Sequence, residues 1–195
     1  MQNKRLTLRG LTVVEVTVAA TISTLALVGA FSVFLSGMGS WATGSRTISA
    51  QVDADNTVAL VVDALREATF VSVSLDGNTV TFRKPQYDAN GNFQMDVHGS
   101  PVWDGLTRTI YYQSGAIYMA DGVATPWKLA SNVILTDPEG TPANSSYKIF
   151  TPGLGANTRE VTVKVVVKQN MPGNDKLYGR KRENVYLRNI PDSIR

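Results

Sequence analysis

Residues 16–35 read VTVAATISTLALVGAFSVFL, twenty consecutive positions without a charge. As a helix rising about 1.5 Å per residue, the run spans about 30 Å, the thickness of a bilayer's hydrocarbon core. Lys4, Arg5 and Arg9 precede it, and the next basic residue is Arg46. That distribution of positive charge puts the N-terminus in the cytoplasm and everything after the run outside. A secretory signal peptide also opens on basic residues, but its apolar core is shorter and ends at a small-x-small cleavage site. The SGMGS at 36–40 matches such a site poorly.

The 195 residues, 43% hydrophobic and 18% charged, hold one globular domain besides the span and leave little room for two catalytic domains. No cysteine is present, which removes disulfides, thiol nucleophiles, iron–sulfur clusters and cysteine zinc sites. The single histidine, His98, removes nearly all of the remaining zinc chemistry. Setting Lys4, Arg5 and Arg9 aside from the 19 basic residues leaves 16 against 16 acidic ones, so bulk charge does not draw this chain to a polyanion. No G-x-S-x-G elbow, Walker loop, H-E-x-x-H or Rossmann glycine triplet occurs. A catalytic triad would have to be assembled around His98 from distant residues. The expectation is a protein that is not an enzyme and uses no cofactor.

Glu15 stands at the mouth of the span, six residues after Arg9. An ionised carboxylate is costly in lipid, so Glu15 either stays at headgroup level or has a partner. The segment around it reads KRLTLRG at 4–10 and LTVVE at 11–15. It resembles the processing signal of type IV prepilins and type II secretion pseudopilins: a short basic leader ending in glycine, then a hydrophobic residue, two to three apolar positions and a glutamate. The resemblance implies that prepilin peptidase cuts between Gly10 and Leu11, that the new α-amino group of Leu11 is methylated, and that Glu15 becomes the fifth residue of the mature chain. Leu11 stands where the family more often has phenylalanine, and Ser32 where many members carry a helix-kinking proline. In a filament of this kind the Glu15 carboxylate of one subunit neutralises its neighbour's amine, so a buried pair replaces two separately buried charges and fixes the register between subunits. Ala19, Ser23, Ala26 and Ala30 are small enough for helices to approach closely.

Beyond the span, Gly37, Gly39 and Gly44 each cost about 1 kcal/mol of helix stability relative to alanine, which predicts a soft joint. Ile48, Val52, Ala59, Val62 and Leu65 then recur near helical spacing among charged residues, an amphipathic helix to about Ala68. After Thr69 the pattern alternates. Strands are predicted at 70–75 and 79–83 around Asp76-Gly77-Asn78, and at 108–113 and 116–119 around Ser114-Gly115. Further strands are expected at 132–136, 147–150, 160–168 and 184–188, with VTVKVVVK at 161–168 central. One helix followed by seven or eight hairpin-joined strands is an α+β chain, its antiparallel sheet packed on the helix's apolar stripe. The layout is a leader at 1–10, a transmembrane or filament-core helix at 11–36 and an extracytoplasmic head at 37–195. That order is pilin-like. DALREA at 63–68, the Ile110-Tyr111-Tyr112 hairpin and VYLRN at 185–189, followed by Pro191, resemble the larger minor pseudopilins of the J type.

The stretch 85–107 shows no period, and Asp88, Asn90, Asn92 and Asp96 within it are spaced faintly like a calcium loop. The glycines fall wrongly for an EF-hand, so a solvated loop is the plainer reading. Residues 169–183 read as a polar loop whose Lys176, Tyr178, Arg180, Lys181 and Arg182 suit phosphates, an acidic partner or nucleic acid, with a solvated hairpin tip as the plainer reading. Asn144-Ser145-Ser146 forms a glycosylation sequon, which means little behind a bacterial leader. Together these features lead to a minor pilin or pseudopilin of the inner membrane, placed at or near a filament tip. Its expected partners are other pilins through the N-terminal helix, prepilin peptidase, the inner membrane and, at the head, secreted cargo, an adhesion target or DNA. The rival is a plain single-pass anchor carrying a β-domain that binds an extracytoplasmic ligand.

Overall fold

The computed structural model describes residues 12–138, 140, 142–143, 145–153, 159–170 and 176–187. It divides into two compact units, Met1–Ser45 and Arg46–Arg195. One helix, α1 (Val13–Arg66), belongs to both. Its helical assignment runs unbroken through Gly37, Gly39 and Gly44, and a Cβ added at any of them would meet no neighbouring atom.

In the first unit every described residue is exposed. The hydroxyls of Thr17, Thr21 and Thr24 donate to the carbonyls of Val13, Thr17 and Ala20, four residues back. Each of these hydroxyls is thereby satisfied by the helix's own backbone.

In the second unit α1 buries Ala50, Ala54, Val58, Val61, Val62 and Leu65, a stripe at three- and four-residue spacing. The helix ends where the Thr69 N–H donates to the Arg83 carbonyl and the chain turns into strand. β1 (Phe70–Val73), β2 (Thr79–Pro85), β3 (Trp103–Gln113), β4 (Ala116–Asp121) and β5 (Trp127–Ala130) form an antiparallel meander in chain order. β6 (Thr136–Asp137) pairs with β7 (Ser145–Ser146), and a three-stranded sheet sets β9 (Glu160–Asn170) between β8 (Phe150–Pro152) and β10 (Lys176–Tyr186). Val80, Phe82, Ile110 and Ile117 from the meander and Val161, Val163, Val165 and Val185 from the second sheet close on the helix stripe. The chain is therefore α+β with antiparallel sheets.

Both Gly-containing hairpins fall where the sequence places them, with Gly77 and Gly115 at positive φ. Four expectations need correction. The strands form two sheets and a short ladder rather than one sheet. In 132–136 only Thr136 lies in a named strand, because Asn132 adopts φ 59 and leaves Val133 a single bridge to Val167. In 147–150 only Phe150 is strand, since Tyr147 is held through its side chain. The last strand begins at Lys176 rather than 184, because its first eight residues pair with β9, so the polar loop predicted over 169–183 is largely strand. β5 was not anticipated at all.

Candidate functional site

The described chain starts at Thr12, which caps α1. Its hydroxyl accepts from the Glu15 N–H at 3.2 Å, while Glu15 Oε2 accepts from the Thr12 N–H at 2.9 Å and the Thr12 hydroxyl at 3.0 Å. This reciprocal capping box follows from Thr12-Val13-Val14-Glu15, a threonine three residues before a glutamate. That spacing is the signal by which the cap is legible in the sequence. Glu15 thus has a partner in its own first turn, and its Oε1 makes no hydrogen bond among the described residues. Gly10 and Leu11 lie outside the described residues. Behind the cap, Leu25, Leu27 and Phe31 are fully on the surface, as are Ala19, Ser23, Ala26 and Ala30. The helix is long and apolar enough to cross a membrane.

Of the basic cluster, Arg180 and Lys181 are structural. Arg180 Nε lies 2.7 Å from Asp137 Oδ1, and Lys164 Nζ lies 2.8 Å from Asp137 Oδ2. Asp137 is 3% exposed. Burial works to raise its carboxyl pKa, but the bonds and charges of Lys164 and Arg180 outweigh that and hold it below the usual range. Lys164 also sits over the Tyr147 ring at 4.7 Å. The Tyr147 hydroxyl accepts from the Val166 N–H at 3.0 Å and donates to the Ile134 carbonyl. Burial pushes that phenol's pKa up, so it stays a donor. The network fastens Ile134, Asp137 and Tyr147 onto β9 and β10. Lys181 lies 3.5 Å from Asp55 on α1, and Gly179 is required because a Cβ there would meet the Ala50 carbonyl oxygen at 1.9 Å. Lys176, Tyr178 and Arg182 remain as surface groups of the strand.

The stretch 85–107 is not aperiodic; it repeats every eight residues. Asp88 Oδ1 accepts from the Asn90 and Asn92 N–H groups at 2.8 Å, and Asp96 Oδ1 accepts from those of His98 and Ser100 at 2.8 Å. Gly91 and Gly99 close the two turns at φ 80 and 75. Gln86, Gln94 and Val102, eight apart, bond one another in a ring: Gln86 N to the Val102 carbonyl, Gln94 N to that of Gln86, and Val102 N to that of Gln94. A period of eight is neither helical nor strand-like, which is why it escaped notice. The Asn92 N–H foremost, and the Ser100 and His98 N–H groups, hold the Asp88 and Asp96 carboxyls below their usual pKa. Each aspartate serves its own turn, so Asp88, Asn90, Asn92 and Asp96 do not assemble as one ligand set. Among the described residues no group of three or more His, Cys, Asp or Glu could hold a metal.

Compared with known proteins, the chain matches no family model, no curated protein and no solved structure. Its functional reading rests on its own residues.

Proposed function

We propose that this protein is a minor pilin or pseudopilin, a structural subunit of a type IV pilus or a type II secretion pseudopilus. The observation that carries the reading is the combination of Gly10, Leu11 and Glu15 with an uncharged helical stretch that none of the described residues covers. Inserted with its N-terminus in the cytoplasm, the chain is cut after Gly10, and the Leu11 amine is methylated. The helix then leaves the bilayer for a filament core, exchanging lipid for neighbouring helices. Glu15 keeps one carboxylate oxygen on Thr12 and turns the other to the amine of an adjacent subunit, which neutralises both charges in an apolar setting. The head, at or near the tip, primes assembly and contacts what the filament carries or binds.

The capping box favours one other reading, a plain membrane-anchored β-domain, because it gives Glu15 a local task that needs no filament. The two part on substitution. Glutamine also completes a capping box, so Glu15→Gln leaves a plain anchor unaffected but lowers incorporation of a pilin into filaments. Gly10→Leu blocks removal of residues 1–10 in the pilin reading. Normal processing of that variant, or filament incorporation unchanged by Glu15→Gln, would overturn it.

A further inference from the structure

We propose that the arm between β2 and β3 docks on the open edge of β10 in a second copy of this chain. The arm exposes Tyr87, Phe93, Met95 and Val97, with Val97 at 95%. So many large apolar side chains in one short segment exceed the scattered exposure of an ordinary surface and mark a contact. The ring of backbone bonds through Gln86, Gln94 and Val102 and the two aspartate turns hold the arm in shape. At its foot Arg108, nearly buried, ties Asp104 to Asp121 on β4 at 2.6 Å each. A preorganised surface loses little freedom on binding.

Charge selects the occupant. Residues 86–102, between β2 and β3, carry Asp88 and Asp96 and no lysine or arginine, a formal −2. On β10, Arg180 is matched by Asp137, Lys181 by Asp55 and Glu183 by Arg66, which leaves Lys176 and Arg182 as its outward basic charge, a formal +2. One chain therefore presents both an acidic apolar arm and a basic strand with Tyr178 and Tyr186, the latter 66% exposed.

The backbone of β10 supplies the seat. Lys164 N, Val166 O and Lys168 N all bond away from β10, to Ile149, Ile134 and Asn132. Even-numbered residues of β9 thus face away, and their partners on β10, Arg180, Arg182 and Asn184, face the open side. Gln51 covers this edge at Arg180, accepting from its N–H at 3.2 Å and donating to its carbonyl at 2.9 Å. The N–H and carbonyl groups of Arg182, Asn184 and Tyr186 beyond it have no partner among the described residues, and such an open edge is a place where another chain docks. Because arm and edge are different surfaces, the contact is heterologous, the arm of one copy meeting the edge of the next. It goes beyond the filament reading and holds whether or not the N-terminal helices assemble.

The chain's lack of cysteine makes the test clean. Full-length Val97→Cys and Asn184→Cys chains, each single, are co-expressed in the native membrane and treated with a short bismaleimide. The expected product is the mixed dimer, with little dimer from either variant alone. Leu75→Cys, at a 96% exposed position in the β1–β2 turn, replaces Asn184→Cys as the control for mere crowding in the membrane. Arg182→Glu in the Asn184→Cys chain lowers the mixed product about tenfold, and Ala89→Lys in the Val97→Cys chain restores it. Absence of the mixed dimer, equal yield with Leu75→Cys, equal dimerisation of Val97→Cys by itself, or no effect of Arg182→Glu each overturns the proposal. A Gly10→Leu chain gives the same mixed dimer, which separates this contact from the fate of the leader.

Discussion

Before Arg46, α1 turns Leu25, Leu27, Val28 and Phe31 to the outside; after it, the same helix buries Val58, Val61, Val62 and Leu65. The backbone geometry is the same in both halves, so the difference lies in how the apolar residues are arranged. The later half sets Asp53, Asp55, Asp63 and Arg66 opposite an apolar stripe, and two sheets of this chain close over that stripe. The earlier half carries no charge from Val16 to Ser45, and each of its described residues is exposed. An apolar surface of this kind suits lipid or other helices, whereas the later half is stabilised by its own sheets.

The sharpest way to break this comparison is to put the same charge in each half. Val58→Asp buries an unpaired carboxylate and costs more than about 4 kcal/mol, enough to unfold the head by circular dichroism. Val28→Asp leaves the head's thermal unfolding unchanged and impairs membrane insertion, read by carbonate extraction. Unfolding of the sheets by Val28→Asp would erase the distinction. Truncation sharpens the contrast: Leu65→Ala costs about 2–5 kcal/mol in urea unfolding, while Leu27→Ala is near neutral by the same measure.

Within the head, Asp137→Asn removes the charge shared by Lys164 and Arg180 and costs about 3 kcal/mol. The folded Asp137 carboxyl is depressed, so its contribution is fully present above the unfolded value of about 3.9 and is lost as pH falls through the folded value. Urea midpoints measured from neutral to acid pH should therefore fall below about pH 4 in the parent, and less steeply in Asp137→Asn. The smallest effect is at the other end of the chain. Thr12→Ala costs about 1 kcal/mol of helix-end stability, visible as faster amide exchange in the first turn of α1 and not in the head's unfolding temperature.

The sequence carried the long apolar helix, the amphipathic half of α1 and both Gly hairpins, because each depends on local period and on residues suited to a tight turn. The Asp137 network was not legible, since Lys164 and Arg180 lie 27 and 43 residues away from it. β10 was hidden by its own cations: Lys176, Arg180, Lys181 and Arg182 look like a loop until Val163, Val165 and Val167 are seen to pair with that strand. The segment 132–136 made the opposite error, its β-branched residues suggesting a strand that Asn132 interrupts. At the candidate site, Glu15 was singled out for its cost in lipid, whereas its bond to Thr12 came from the structure.

The central claim is tested most directly by intact mass spectrometry of the N-terminus of the protein purified from native host membranes with active prepilin peptidase. A chain starting at Leu11 and carrying one added methyl group is the result expected of a pilin-like subunit. A chain that still begins at Met1 would contradict it and leave a plain anchored β-domain, with Glu15 reduced to capping its own helix.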